Sequence, residues 1–221
     1  MLDGPAWFMA YEQTAGRGRR ARPWVSPRGN FYGSLILHPV EPVDQVALRS
    51  FVAAVALRDA FVTLTGLPTA FALKWPNDVL LNGGKVAGIL LESVGQAQGV
   101  AHLAVGMGVN LISAPDAQAV EPGATPPVSV LAETGLRIEP ETFLAALAPA
   151  FARLEAVFTT DGFAPIRAEW LTYAARLGEV ITARTGTVTR TGTFHAIDDA
   201  GKLILITSQG PVAIPAAEVF F

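Results

Sequence analysis

The 221-residue chain contains no cysteine. This excludes disulfides, thiolate metal sites and a cysteine nucleophile, and leaves the redox compartment undecided. Lysine is nearly as scarce. Lys74, Lys85 and Lys202 are the only three, and the rest of the 16 basic residues are arginine. Charged residues make up only 16% of the chain and hydrophobic residues 51%. That composition is not one of disorder, and it supplies enough apolar surface for one sizeable domain plus a small one. The formal net charge of -3 and a pI near 5.6 argue against a general nucleic-acid coat or a membrane-surface binder. No apolar run reaches the roughly 18 residues needed to span a bilayer. The amino-terminal MLDGPAWFMAYEQ lacks the basic start and layout of a signal peptide, so a cytoplasmic location is expected. There is no Gly-x-x-x-x-Gly-Lys-Ser/Thr phosphate loop, no Gly-x-Ser-x-Gly nucleophile elbow and no three-glycine dinucleotide fingerprint. His38, His102 and His195 lie far apart in the sequence without ligand spacing, so no metal site is expected from them.

What is present falls into two textures. Trp7 to Glu12 and Asn30 to His38 are short, apolar or β-rich runs, expected as strands. Val43 to Thr65 has no Gly or Pro and repeats apolar residues at helical spacing, between Pro42 and Gly66, so one helix is expected. Phe71 to Trp75 is expected to be a strand. Asn82-Gly83-Gly84 supplies positive-φ residues for a hairpin turn, whose second strand runs from Lys85 to about Glu92. A strand over His102 to Leu111, an irregular Ser113 to Pro127, and helices over Pro140 to Thr159 and Pro165 to Arg176 complete the first part. After Leu177 short β-branched runs alternate with Gly and Asp-Asp-Ala-Gly turns, at the spacing of a small barrel. A domain boundary is therefore expected near residue 176, dividing residues 1–176 from 177–221.

Four stretches could carry chemistry. In QTAGRGRRARPW, from Gln13 to Trp24, four arginines (Arg17, Arg19, Arg20, Arg22) fall within six residues, interleaved with Gly16 and Gly18. Such a loop can be a solvated surface, a nucleic-acid patch or a clamp for one small anion. Guanidinium forks suit bidentate contacts with carboxylate or phosphate oxygens, and glycine permits close approach. In KWPNDVLL, Asn77 and Asp78 stand just past a strand end, where side chains converge on ligands; Pro-Asn-Asp turn chemistry accounts for the same residues. Lys85 follows the hairpin turn and alternates onto the face of Ala87, Ile89 and Leu91. It is either a cation snorkelling to solvent or one held for an anion. In GMGVN, Ala104, Gly106, Gly108 and Asn110 share one strand face, a shallow groove with an amide at its end. Close packing of another backbone and a bound ligand explain those glycines equally well.

Taken in order, EQTAGRGRRARPW, SPRGNFYGSLIL, KWPNDVLL, GGKVAGILLE and VGMGVNL resemble the catalytic domain of the biotin protein ligases, and the resemblance covers almost the whole chain. It implies an α+β fold of the class II synthetase and biotin ligase type: a mixed or antiparallel central sheet flanked by helices, with a small C-terminal SH3-like β-barrel. It implies activation of biotin by ATP, with Mg as activating ion, to biotinyl-5'-AMP, then transfer to a lysine of a biotin carboxyl carrier protein. No enzyme nucleophile and no tightly bound cofactor are needed.

Carried over by position, Lys85, Arg17 and Arg19 are the catalytic group, with Lys85 an electrostatic stabiliser. Gln13, Gly16, Arg17, Gly18, Arg19, Lys85 and Gly88 are the biotin side. Arg19, Arg20, Arg22, Trp24, Asn77, Asp78, Lys85 and Asn110 are the nucleotide side, and Asp78 is the Mg ligand. Gly88 and Gly108 are expected to give clearance for a flat bicyclic ligand, and Trp24 a flat face for the purine. A lipoate or octanoate ligase, or a degenerate non-catalytic adenylate-binding relative, are the alternatives. The family's Ser-Thr-Asn segment ahead of the arginine loop is absent: twelve residues precede Gln13. Residues 1–221 are accordingly expected to bind ATP or adenylate better than biotin. A DNA-binding helix-turn-helix, and with it a DNA partner, is not expected. A homodimer through the sheet is compatible with the family.

Overall fold

In the computed structural model, which describes residues 4–96, 99–116, 120 and 123–221, strands alternate as their side chains demand. They are β1 (Ala6–Ala10), β2 (Phe31–Leu37), β3 (Phe71–Lys74), β4 (Asp78–Leu81), β5 (Gly84–Gln96) and β6 (Gly99–Val109). They pair antiparallel in the order β1-β2-β6-β5-β4-β3. On β6, Leu103, Val105, Met107 and Val109 are buried while Ala104, Gly106 and Gly108 are only partly covered. This is the period-2 signature of a sheet with one packed face.

The packed face meets α2 (Arg49–Thr65), which is preceded by a single turn, α1 (Val43–Val46). The one helix expected over Val43–Thr65 is interrupted at Ala47 and Leu48. The amides of Leu48, Ser50 and Phe51 bond three residues back instead of four, a tighter turn that breaks the α register. α2 is apolar nearly all round and buried on several sides, as befits a helix between a sheet and a second helical layer. That layer is α4 (Pro140–Asp161) and α5 (Phe163–Thr172), with the short α3 (Val130–Thr134) before them. α4 is long and apolar enough to cross a membrane by length and composition. Here its Phe143, Leu147, Phe151, Leu154 and Phe158 are in the core. Two arginines of α2 are buried with partners: Arg49 on Glu41 and Glu155, and Arg58 on the Pro68 carbonyl and over the Tyr173 ring.

Other boundaries differ from expectation for tertiary reasons. α5 stops at Thr172, not Arg176, because Leu73 bonds the Tyr173 carbonyl and Ala175 bonds the Leu73 carbonyl, pulling the chain into line with β3. The α3 turn was not expected, although Ser129 caps it through Ala132 N–H and Gly135 ends it at φ 72°. β5 and β6 are longer than expected. Part of the stretch expected to be irregular, residues 117–119 and 121–122, lies outside the described residues.

The C-terminal strands β7 (Val180–Thr185), β8 (Val188–Ile197), β9 (Leu203–Thr207), β10 (Gly210–Ile214) and β11 (Glu218–Phe220) form a second antiparallel sheet, ordered β10-β9-β8-β7-β11. It is moored to the first part by burial and by polar contacts. Trp75 donates its indole N–H to the Gly201 carbonyl at 3.0 Å. Gly201 lies so close to Leu48 and Phe51 that an added Cβ would sit 2.9 Å from each. This mooring brings β11 beside the open face of the first sheet, at the rim of the cleft described next.

Candidate active site

The open face of the first sheet carries a cleft of about 700 Å³, within the usual range for small-molecule sites. Its lining joins the arginine loop, the KWPND strand end, Lys85, the Gly88, Gly106 and Gly108 floor, Asn110, and β11 of the C-terminal sheet. Gln13, Gly16, Arg17, Gly18, Arg19, Arg22, Trp24, Asn77 and Asp78 line it as well; Arg20 does not, and it projects to the C-terminal sheet instead.

The loop is a closed, hydrogen-bonded structure. Trp24 N–H bonds the Gly16 carbonyl at 2.9 Å, Gly18 N–H bonds Arg22 at 2.8 Å, and Arg17 bridges Pro23. Gly16 is required by contact: a Cβ there would stand 2.5 Å from the Trp24 carbonyl oxygen. Gln13 accepts a hydrogen bond from Ser26 at 2.8 Å. At the tip Arg20 (φ 58°) and Ala21 (φ 57°) both hold left-handed backbone, which costs about 1–2 kcal/mol per residue without glycine.

What holds the tip is a carboxylate that the motifs did not point to. Glu218, on β11, pairs with Arg20 at 3.0 Å, with Arg22, and with Arg184 at 2.7 Å. Burial alone would raise the Glu218 pKa. The Arg184 hydrogen bond and the Arg22, Arg20 and Arg184 charges outweigh it, and the net direction is down. Nothing in the sequence AAEVFF marks Glu218; only folding brings it to the loop.

The floor departs from expectation in two ways. Between Val79 and Leu80 the β4–β5 register slips, so Val79 faces Ala87 but Leu80 faces Lys85. The extra residue, Val86, is buried, and the bulge turns Lys85 onto the cleft side with Gly88, away from the face of Ala87 and Ile89. A Cβ at Gly88 would stand 3.4 Å from Lys85 Nζ. Second, the ring filling the clearance at Gly108 is Trp24 itself. A Cβ on Gly108 would stand 2.6 Å from Trp24 Nε1, which is buried without a hydrogen-bond partner among the described residues. The indole thus requires Gly108 and packs closely on Gly88, where a Cβ would stand 3.3 Å from its ring.

Around Lys85 the charges converge. Its Nζ is 2.7 Å from Asp78 Oδ1 and 5.5 Å from the Trp24 ring centre. Asn77 ties the loop to the sheet: its amide donates to the Ile89 carbonyl at 2.6 Å, and its oxygen accepts from Arg19 at 3.4 Å. Burial draws the Arg19 guanidinium below its usual pKa, with Asp78 opposing. Asn110 is buried and spends its amide on the Val128 carbonyl at 3.0 Å. A second lysine was overlooked although it opens the KWPND motif. Lys74 is 8% exposed, lines the cleft, and donates to Thr125 Oγ1 at 2.6 Å. Burial lowers its pKa, Lys85 adds to this, and Asp78 and Glu218 oppose. The cleft lining therefore gathers five cations (Arg17, Arg19, Arg22, Lys74, Lys85) against three carboxylates: Asp78 beside Lys85, Glu92, and Glu218 at the rim on Arg22. This is an anion-binding arrangement. Of the histidines, separated in the sequence, His38 just past the end of β2 meets His102 on β6, outside this cleft.

A pocket that assembles guanidinium and ammonium groups over a glycine-floored sheet is suited to holding anionic reactants together. Comparison with known proteins supplies the class. Residues 3–110 match the biotin/lipoate A/B protein ligase family, and residues 177–221 match the biotin protein ligase C-terminal domain. The chain is 62% identical over 220 residues to the biotin--[acetyl-CoA-carboxylase] ligase of Paracoccus denitrificans, covering all of this chain and 92% of that one. It is 34% identical over 214 residues to the bifunctional ligase/repressor BirA of Bacillus subtilis, covering 96% of this chain and 64% of BirA. The biotin protein ligase of Aquifex aeolicus, solved with biotin and ATP, superposes with a TM-score of 0.82 at 24% identity, covering 99% and 89% of the two chains. The chain belongs to the biotin/lipoate A/B protein ligase family. Within it, the chain carries the C-terminal domain of the biotin protein ligases.

Proposed function

We propose that this chain is a biotin protein ligase of two units, 1–176 and 177–221, that makes biotinyl-5'-AMP and passes biotin to a carrier lysine. A carboxylate oxygen of biotin attacks the α-phosphorus of ATP, the bond to the bridging oxygen breaks, and pyrophosphate leaves. The ε-amine of a lysine on a biotin carboxyl carrier domain then attacks the acyl carbon, an amide forms, and AMP leaves with the electron pair. Both reactants of the first step are anions. The observation that carries the reading is the placement of Arg17, Arg19 and Lys85 in one cleft, where such donors act most strongly away from water.

Lys85 is the electrostatic stabiliser between carboxylate and α-phosphate. Arg17, which makes no ion pair among the described residues, is open to a substrate carboxylate. Arg19, Asn77 and Asp78 meet the phosphates. Gln13, Gly16, Gly18 and Gly88 are on the biotin side, Arg20, Arg22, Trp24 and Asn110 on the nucleotide side. Mg is bound by one or two carboxylates together with substrate phosphates in sites of this kind; Asp78, the carboxylate paired with Lys85 among the described residues, fits that role. Mg would screen the phosphate charge. Closure of the loop by Glu218 would keep water from the anhydride.

Biotin-dependent exchange of pyrophosphate into ATP, followed by biotin transfer to an acceptor domain, tests this. Exchange with lipoate in place of biotin would establish the lipoate reading. Silence with both would leave a non-catalytic adenylate binder. The protein is proposed to act in the cytoplasm, without a DNA partner.

A further inference from the structure

The far end of β2 and β6 carries a feature the reaction does not use. Leu37 pairs with Leu103 across these strands. One step outward, beyond the end of β2, the antiparallel register sets His38 against His102. Their ring centres are 4.8 Å apart with the planes at 77°, and both residues are exposed. Neither lines the cleft.

We propose that His38 and His102 form a two-imidazole site for a late first-row divalent ion: zinc, nickel or copper. The spacing suits it. With a metal–nitrogen bond of about 2.1 Å, each ring centre stands roughly 3.2 Å from the ion, and rings at the observed separation subtend roughly 100°. That falls between the right angle of square-planar or octahedral sites and the tetrahedral angle. The χ2 profile of imidazole is broad, so each exposed ring is free to turn a nitrogen toward a common point. His102 is held in the ladder opposite Val94, and His38 follows directly on the last β2 pair, so part of the ordering is already in place before the ion binds. Among the described residues no third His, Cys, Asp or Glu joins the pair. The remaining positions are left to water, as in a site of moderate affinity. The ion would clip together the two strands that carry Ser34, Gly106 and Gly108 into the cleft.

The full chain, without nucleotide, is titrated with nickel or zinc chloride and followed by thermal unfolding and calorimetry. Magnesium, which prefers oxygen ligands, is the control. The expected result is one nickel ion bound per chain and a Tm that rises with nickel and zinc but not with magnesium. His38→Ala and His102→Ala, both at exposed positions, should each weaken nickel binding about tenfold or more, because a chelate loses its second ligand. His195→Ala should not. Absence of nickel binding by the unaltered chain overturns the proposal. So does binding that survives either His38→Ala or His102→Ala at full strength.

Discussion

The two faces of β5 and β6 are built from neighbouring residues to opposite ends. Toward α2 the strands present Ala87, Ile89, Val105, Met107 and Val109, all buried. Toward the cleft they present Gly88, Gly106 and Gly108, with Lys85 at the edge. One face is filled and the other emptied. Alternation along a strand lets the sequence set stability on one side and chemistry on the other, residue by residue. The separation is incomplete in one place. The bulge buries Val86 and turns Lys85 outward, so the position of this ammonium depends on a packing irregularity.

That contrast can be broken from either side. On the filled side, Phe61 of α2 is fully buried and stacks on Phe71 at 4.8 Å. Phe61→Ala should lose about 3–5 kcal/mol of stability, read by urea unfolding, while the folded fraction keeps its substrate affinities. On the emptied side, Lys85→Met should lower biotin-dependent pyrophosphate exchange about a hundred- to a thousandfold, with Tm nearly unchanged. If Lys85→Met unfolds the chain, the separation of roles fails. Gly108→Ala is a smaller intrusion. Its methyl would meet Trp24 at 2.6 Å, forcing the indole off the floor. A loss of about tenfold to a hundredfold in kcat/KM is expected, comparable to that from misplacing a reacting group by about 1 Å. Full activity would mean that Trp24 is not needed where it sits.

How much of this was legible in the sequence differs between the two faces. The filled face was read from apolar spacing, and the sheet, the hairpin and the long helices stand close to where that spacing put them. The emptied face was legible only as motifs. Gly16, Asn77 and Lys85 were visible as residue types in the right order. Lys85's orientation was not, because a bulge reverses the alternation from which it was inferred. Glu218 was out of reach: it lies 198 positions after Arg20, and only the mooring of the C-terminal sheet through Trp75 and Gly201 brings the two together. The meeting of His38 and His102 was hidden for the same reason, since strand pairing is not written in local spacing.

Lys74 sharpens the comparison most finely, because it belongs to both faces. It is buried like a core residue yet lines the cleft. Its charge is held there by Thr125 at 2.6 Å and lies 4.7 Å from the Phe221 ring centre. Burial lowers its folded pKa, so the charged form is less stable in the fold than in the unfolded chain. Below the folded pKa both states are protonated and the penalty is present in full. As the pH climbs from there toward the unfolded value of about 10.4, the unfolded chain holds more protons and stability rises. Lys74→Met removes the penalty and keeps the side chain's length. Near neutral pH it should raise Tm above the parent's, each kcal/mol gained being worth about 2–4 °C in a chain of this size. The gain should shrink in alkali. If Lys74 serves the phosphates, the same variant should raise the KM for ATP severalfold and leave that for biotin alone. A variant less stable than the parent at neutral pH would mean that the Thr125 bond and the aromatic contact outweigh the cost of burying the charge.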